Sequence, residues 1–228
     1  MATDLYVVLE TPNSGALKYL LGDNLAVDDT STFLLPKEKQ SSESFSSTHN
    51  TFVYWEAKHN EPLNFKLPSE ASENKIFLFF SPFFDLSTQF EVLLETLEKE
   101  SFQLTRILAF IDANVLESIS GNFLGWMDAS AHFSDAICIT NRTNQNGKYA
   151  NELIKRYEQM RYPVETYILS VTNRRKMANV LNPRTRRISH AFDSAEMLEE
   201  EDTPQNDPYL RKLANGKREK TIPIPFKI

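Results

Sequence analysis

The residues of this chain that could do chemistry stand at turns following apolar runs. Ser14 and Gly15 close a turn between Leu5-Tyr-Val-Val-Leu9 and Ala16-Leu-Lys-Tyr-Leu-Leu21. A strand, a turn and a helix in that order would set the backbone N–H groups of Asn13, Ser14, Gly15, Ala16 and Leu17 at a helix start. Unpaired donors and the helix dipole favour an anion there. Asp85 and Asp112 each follow an apolar run and could ligate magnesium, cap a helix or form a turn. Arg174, Arg175, Lys176, Arg184, Arg186 and Arg187 form a cationic stretch that could hold phosphate or pair with the acids from Asp193 to Asp202. His132 has no second histidine or cysteine at ligand spacing, and Cys138 sits in Ala-Ile-Cys-Ile, the setting of core filler. No Gly-x-Ser-x-Gly elbow is present. Asn141-Arg142-Thr143 and Arg186-Arg187-Ile188-Ser189 match modification patterns that arise by chance.

The elements that would position these residues follow from the apolar runs. Strands are expected at Leu5–Leu9, Thr51–Trp55, Ile76–Phe80, Arg106–Asp112, Ala136–Ile139 and Val164–Leu169. Helices are expected after Gly15, after a Ser87 cap with Phe90, Leu93, Leu94 and Leu97 inward, over Asn122–Phe133, and over Lys148–Met160. Alternating strands and helices imply an α/β fold with a mostly parallel sheet covered on both faces. Ligands of such sheets sit at the carboxyl ends of strands, which here carry Glu10 to Gly15, Ser81 to Asp85, Asp112, and Asn141 to Asn144.

Composition narrows the classes. With 25 basic and 31 acidic residues among 228, the formal net charge is -6, so whole-surface attraction to nucleic acid or anionic membrane is not expected. No apolar run approaches the roughly 18 to 20 residues of a membrane span, and the start lacks a signal-peptide pattern, so a cytoplasmic location is expected. One cysteine excludes an intrachain disulfide and a multi-cysteine metal site. Sixteen Phe against six Gly supplies a core generously and phosphate-cradling loops poorly.

The strand, the loop closing in Ser-Gly and the helix resemble a P-loop, and later landmarks resemble the CobW-type metallochaperone GTPases. That family begins with V-x-G-x-x-G-S-G-K-T-T-L-L. Laid on it without a gap, Leu9-Glu10-Thr11-Pro12-Asn13-Ser14-Gly15-Ala16-Leu17-Lys18 keeps only the Ser-Gly pair before the helix. The resemblance implies that Glu10 replaces the first glycine, Ala16 the phosphate-binding lysine and Leu17 the magnesium-ligating hydroxyl. Lys18 stands two residues later, a rotation of about 200° on a helix, and cannot substitute. Phe79-Phe80-Ser81-Pro82-Phe83-Phe84-Asp85 resembles the family's E-T/S-x-G-x-A-D, with Asp85 on the aspartate. Pro82, which has no N–H, stands on the glycine that would sense a γ-phosphate. Ile111-Asp112-Ala113 resembles V-V-D-A. His132-Phe133-Ser134-Asp135 through Asn144 resembles F-A-D-x-I-x-x-N-K-x-D, which makes Asn141, Arg142 and Asn144 the vestige of a guanine-reading loop. An Asn144 amide in place of a carboxylate offers guanine one acceptor and one repelling donor. The family's cysteine-rich metal motif is not found between the loop and the second landmark, and its separate C-terminal domain is not expected here.

The resulting expectations are a three-layer P-loop NTPase-like α/β domain over residues 1–170, with a polar mobile loop at about 28–49. A charged, proline-containing tail would cover 171–228 and pack on the domain or face a partner. The losses argue against enzymatic turnover. The chain is read as a non-catalytic, CobW-like module that binds an unknown protein partner through the phenylalanine-rich strand and the tail. No cofactor, metal, nucleic acid or membrane is expected to bind. The alternative is a nucleotide or small phosphate compound held by residues 13–17; an active NTPase is the remaining possibility.

Overall fold

The structure is a computed structural model that describes residues 3–23, 30–40, 50–57, 62–65, 67, 75–99, 102–170, 175–182, 187, 189, 191–193, 203 and 206–227. Seven strands form one sheet: β1 (Thr3–Glu10), β2 (Ser31–Pro36), β3 (Asn50–Trp55), β4 (Lys75–Phe79), β5 (Phe102–Asp112), β6 (Ala136–Thr140) and β7 (Glu165–Ile168). Their order is β3-β2-β4-β1-β5-β6-β7 and every pairing is parallel, which puts β1 at the centre. Among the described residues the α-helices are α1 (Ala16–Asp23), α2 (Leu86–Lys99), α3 (Gly121–Phe133), α4 (Gly147–Gln159) and α5 (Arg175–Val180).

Side chains alternate across the sheet and create two cores, as the period of two in a strand requires. Leu5, Val7, Leu9, Ile76, Leu78, Ile107, Ala109 and Ile111 face α2, α3 and α4, with Phe90, Leu93, Phe123, Trp126, Ala150 and Leu153 above them. Tyr6, Val8, Phe77, Phe79, Leu108 and Phe110 face α1 and α5, packing on Leu17, Leu20, Met177 and Val180. Tyr6, Phe77, Phe33 and Phe52 stack in a row on this second face, with ring centroids 5.0, 5.0 and 5.6 Å apart. Each fully buried ring contributes about 2–3 kcal/mol over exposure, which accounts for the phenylalanine content.

Three expectations need correction. The strand β2 lies inside the stretch read as a polar loop. Phe33, Leu34 and Leu35 form only a three-residue apolar patch among polar neighbours, and their burial comes from pairing with β3 and β4 rather than from local pattern. Residues 24–29 and 41–49 of that stretch lie outside the described residues. Phe77, Phe79 and Phe80 are at most 1% exposed, so the phenylalanine-rich strand is core and not a contact surface. The cap of α2 is Asp85, which accepts from the Thr88 N–H at 2.7 Å, whereas Ser87 is buried within the first turn.

The described parts of the tail lie on the domain. Arg106 of β5, fully buried, donates to the Val180 carbonyl at 2.7 Å and to Glu165 at 2.6 Å, pinning α5 to the sheet. Tyr209, Leu210 and Ile222 are buried, and Phe226 packs edge-on against Phe123 and Trp126. Gly125 permits this approach, since a Cβ there would stand 3.1 Å from Pro223. Arg218 clamps Glu91 of α2 with bonds of 2.8 and 2.9 Å.

Candidate functional site

The loop after β1 leaves the middle of the sheet at its carboxyl edge. Its start is fixed by the Thr11 N–H donating to the Phe110 carbonyl at 2.9 Å and by the Thr11 hydroxyl accepting from the Asp112 N–H at 2.8 Å. Asn13 and Gly15 adopt φ of 63° and 70°, conformations open to asparagine and glycine. They turn the chain sharply enough for α1 to begin at Ala16.

Glu10 dominates this loop. Its side chain is buried, so its carboxylate needs strong partners. It accepts from the Ser14 hydroxyl at 2.8 Å and from the Lys39 ammonium at 2.7 Å. Ser14 in turn accepts from the Ala16 N–H at 3.2 Å. Lys39 also lies over the Phe79 ring, 5.4 Å from its centroid. A carboxylate gripped by the loop serine and by one lysine at a helix start makes the contacts that an external phosphate would seek there. Lys39 escaped sequence reasoning because it is 29 residues from Glu10, in a charged run to which no spacing rule assigns a partner.

The neighbouring groups are also engaged. Ala16 and Leu17 have no exposed surface and belong to the core facing α5, while Lys18 is exposed, as the rotation argument requires. The Tyr19 ring reaches back to within 3.9 Å of where a Cβ on Gly15 would stand. Burial raises the Tyr19 phenol, and the charge of Asp112 adds to the rise. Asp112 accepts from the Asn114 N–H and side-chain amide, both at 3.0 Å, and so caps the 3-10 segment Ala113–Ser118. Asp85 is used up in the α2 cap and stands 3.7 Å from Arg218. Gln89, which is buried, accepts from the Ser81 N–H at 2.7 Å and donates to the Ser81 and Phe84 carbonyls at 3.0 and 3.2 Å. Glu38 accepts from the Ser81 hydroxyl. The turn after β4 is thereby tied to α2 on one side and to the Lys37–Lys39 turn on the other.

Asn141, with φ 52°, donates from its amide to the Asn13 carbonyl at 3.1 Å, so the structure brings this loop and the loop after β1 together. Asn146 holds the turn by accepting from the Thr143 N–H at 2.7 Å and donating to Asn114 at 2.9 Å. The Arg142 guanidinium lies against Gly147, and Arg142 and Asn144 are exposed. Of the cationic stretch, only the Arg187 side chain is described, and it does not join this site. Arg174, Arg184 and Arg186 lie outside the described residues, and Arg175 and Lys176 are described only as backbone of α5. Arg187 stands at the other end of the sheet. Its N–H donates to Asp135 at 2.6 Å, its guanidinium donates to the His132 carbonyl, and burial lowers its pKa. Cys138 is buried, which pushes its thiol well above the usual range. No group of three or more His, Cys, Asp or Glu side chains suited to a metal is found among the described residues.

A nucleoside triphosphate with magnesium does not fit the residues present. A buried carboxylate faces the loop serine, the nearby lysine is bound to that carboxylate, and Ala16 and Leu17 at the helix start are buried and apolar, with no group to hold a cation. These side chains support no catalytic step through such a group.

No protein-family model matches the chain, and no curated protein matches it by sequence. Among solved structures it is similar to a Zn(II)-bound triple mutant of the YjiA GTPase, with a TM-score of 0.53 at 10% identity over 75% of this chain. It also matches the Zn(II)-bound YjiA GTPase from E. coli, with a TM-score of 0.47 at 9% identity over 76% of this chain. The chain spans 58% of the length of each. The first likeness shows the fold alone: an α/β domain with a P-loop GTPase-like fold.

Proposed function

We propose that this chain is a non-catalytic protein of P-loop GTPase-like fold that acts as a protein-binding or regulatory module. The observation that carries the reading is the Glu10 carboxylate held by Ser14 and Lys39. A triphosphate entering the loop would meet a buried negative charge, and its nearest cation is already neutralised. Phosphoryl transfer relies on fixed positive charge and metal at the transferring group, and Ala16 and Leu17 supply neither. Pro82 has no N–H, and the turn around it is held by Gln89 and Glu38 rather than left to answer a ligand. With the phenylalanine strand buried, the partner surface in this reading is the exposed face of the packed tail and the loops around it.

The alternative, a phosphate compound on the N–H groups of residues 13–17, is favoured by the left-handed pair Asn13 and Gly15, which bends the backbone as anion-holding turns do. Calorimetric titration with ATP, GTP and GDP, with and without magnesium, separates the two. The proposal expects no saturable binding below about 1 mM, a free energy of only about 4 kcal/mol, and no turnover. A micromolar constant for any nucleotide would overturn it in favour of the alternative.

A further inference from the structure

The opposite end of the sheet is differently built. α3 ends at Phe133 just before β6 begins, and α4 ends at Gln159 just before β7 begins. His132 and residues 160–163 therefore stand at the amino ends of the strands, away from the loop after β1. Two clefts open there. One, of about 320 Å³, is lined by His132, Met160, Arg161, Tyr162 and Arg187. The other, of about 420 Å³, runs between α4 and β7 and is lined by Ile154, Tyr157, Tyr162, Val164, Tyr167 and Ile168. Tyr162 belongs to both, so the two share a wall. Each volume lies within the ~300–1,000 Å³ of small-molecule sites.

The chemistry of the two differs. The first is cationic. Arg161 is exposed, holds φ 54° and has no carboxylate at salt-bridge distance among the described residues. Burial raises the Tyr162 phenol, as do Tyr209 and Asp128, while Lys220 and Arg187 lie close enough to oppose the rise. Two nearby acids hold groups of this cleft, Asp207 at 2.7 Å from His132 and Asp135 accepting from the Arg187 N–H at 2.6 Å, which leaves Arg161 as its exposed charge; Asp128 is bound to Arg156 at 2.7 Å. The second cleft is apolar and aromatic, with Glu158 at its border. In its wall the Tyr157 hydroxyl is buried with Asp128 close enough to raise it but makes no hydrogen bond of normal geometry, a state that buried phenols ordinarily avoid.

We propose that the joined clefts bind a small organic anion: a carboxylate or phosphate set against Arg161 and Arg187, carrying an aromatic or aliphatic body that lies between α4 and β7 beside Tyr157. Positive charge at one end and apolar walls at the other select such a molecule over a free inorganic anion or a neutral hydrocarbon. The site is independent of the loop after β1 and of whether that loop binds nucleotide.

The test is titration of the ¹⁵N-labelled full chain, followed by amide shifts. The probes are phenyl phosphate, phenylacetate and inorganic phosphate at matched ionic strength. Saturable shifts centred on residues 154–168 and reaching His132 and Arg187 are expected for at least one phenyl compound, with a dissociation constant on the order of 1 mM or tighter for a ligand of that size. Whichever phenyl compound binds more tightly identifies the head group. Inorganic phosphate should bind at least about tenfold more weakly, having no body to bury. Arg187 is bound into the fold, so the informative variant is Arg161→Asn, which tolerates positive φ and should weaken binding about five- to tenfold. Tyr157→Phe, which removes one hydroxyl, should weaken it about threefold. Failure of both phenyl compounds to saturate, shifts centred on residues 11–17, or an unchanged constant in folded Arg161→Asn would each overturn the proposal.

Discussion

The loop after β1 and the clefts beside α4, at opposite ends of this parallel sheet, differ in how their polar groups are held. At the carboxyl end, where α/β folds keep their ligands, Glu10 is answered by Ser14 and Lys39, Asp112 by Asn114, and Ser81 by Gln89 and Glu38. Beside the two clefts at the amino end, the Arg161 guanidinium is exposed with no carboxylate at salt-bridge distance among the described residues, and the buried Tyr157 hydroxyl makes no hydrogen bond of normal geometry. Topology decides where a loop and a helix start meet. Side chains decide whether that meeting still needs a ligand. Here the loop after β1 is occupied by the chain's own charges.

Substitutions probe that contrast, the largest effect first. Asp135→Ala removes the acceptor for the Ile107 and Arg187 N–H groups at the amino end. Two stranded donors should cost about 3–5 kcal/mol, read as a lower urea midpoint, and should loosen the tail from β5. Glu10→Ala leaves the Lys39 ammonium, 15% exposed, without its carboxylate. A loss of about 2–4 kcal/mol is expected, and an unchanged midpoint would mean that the loop is not held by this pair.

Arg218→Ala frees Glu91 and should cost about 1–2 kcal/mol by the same assay. Burial alone would raise the Glu91 carboxyl, but the hydrogen bonds from Arg218 and Lys212 outweigh it and the folded pKa is lowered. The unfolded chain then binds the proton more readily, so this stabilisation is present above the ordinary carboxylate value of 4.5 and is lost as pH falls through the folded pKa. The native protein should therefore lose more stability than Arg218→Ala in acid titration below that value. Tyr157→Phe is the smallest. Removing a buried hydroxyl that makes no hydrogen bond of normal geometry should leave stability unchanged or raise it by up to about 1 kcal/mol, whereas Ser14→Ala at the other end should lower it by about 1–2 kcal/mol.

Much of the frame was legible because burial on both faces writes uninterrupted apolar runs. Leu5–Leu9, Ile76–Phe80 and Ala136–Ile139 all became strands, and the fold class followed from their alternation with helices. The turn from Glu10 to Ala16 between β1 and α1 was legible too, and what its side chains bind was not. The Lys39 partner of Glu10 and the contacts of Arg106 with α5 are tertiary, and no local pattern encodes them. β2 was missed because three apolar residues fall below any periodicity, and the phenylalanine strand was misjudged because sequence does not distinguish an inward ring from a sticky one. Arg187, read as part of an anion patch, proved to be tied to Asp135 and His132 at the far end of the sheet.

The central claim is that Glu10 closes the loop as an internal anion. The most direct test is calorimetric titration of pyrophosphate with magnesium into the native chain and into Glu10→Ala. Only heat of dilution is expected from the native chain, and saturable binding from the variant. Saturable binding by the native chain, or equal binding by both, would contradict the account.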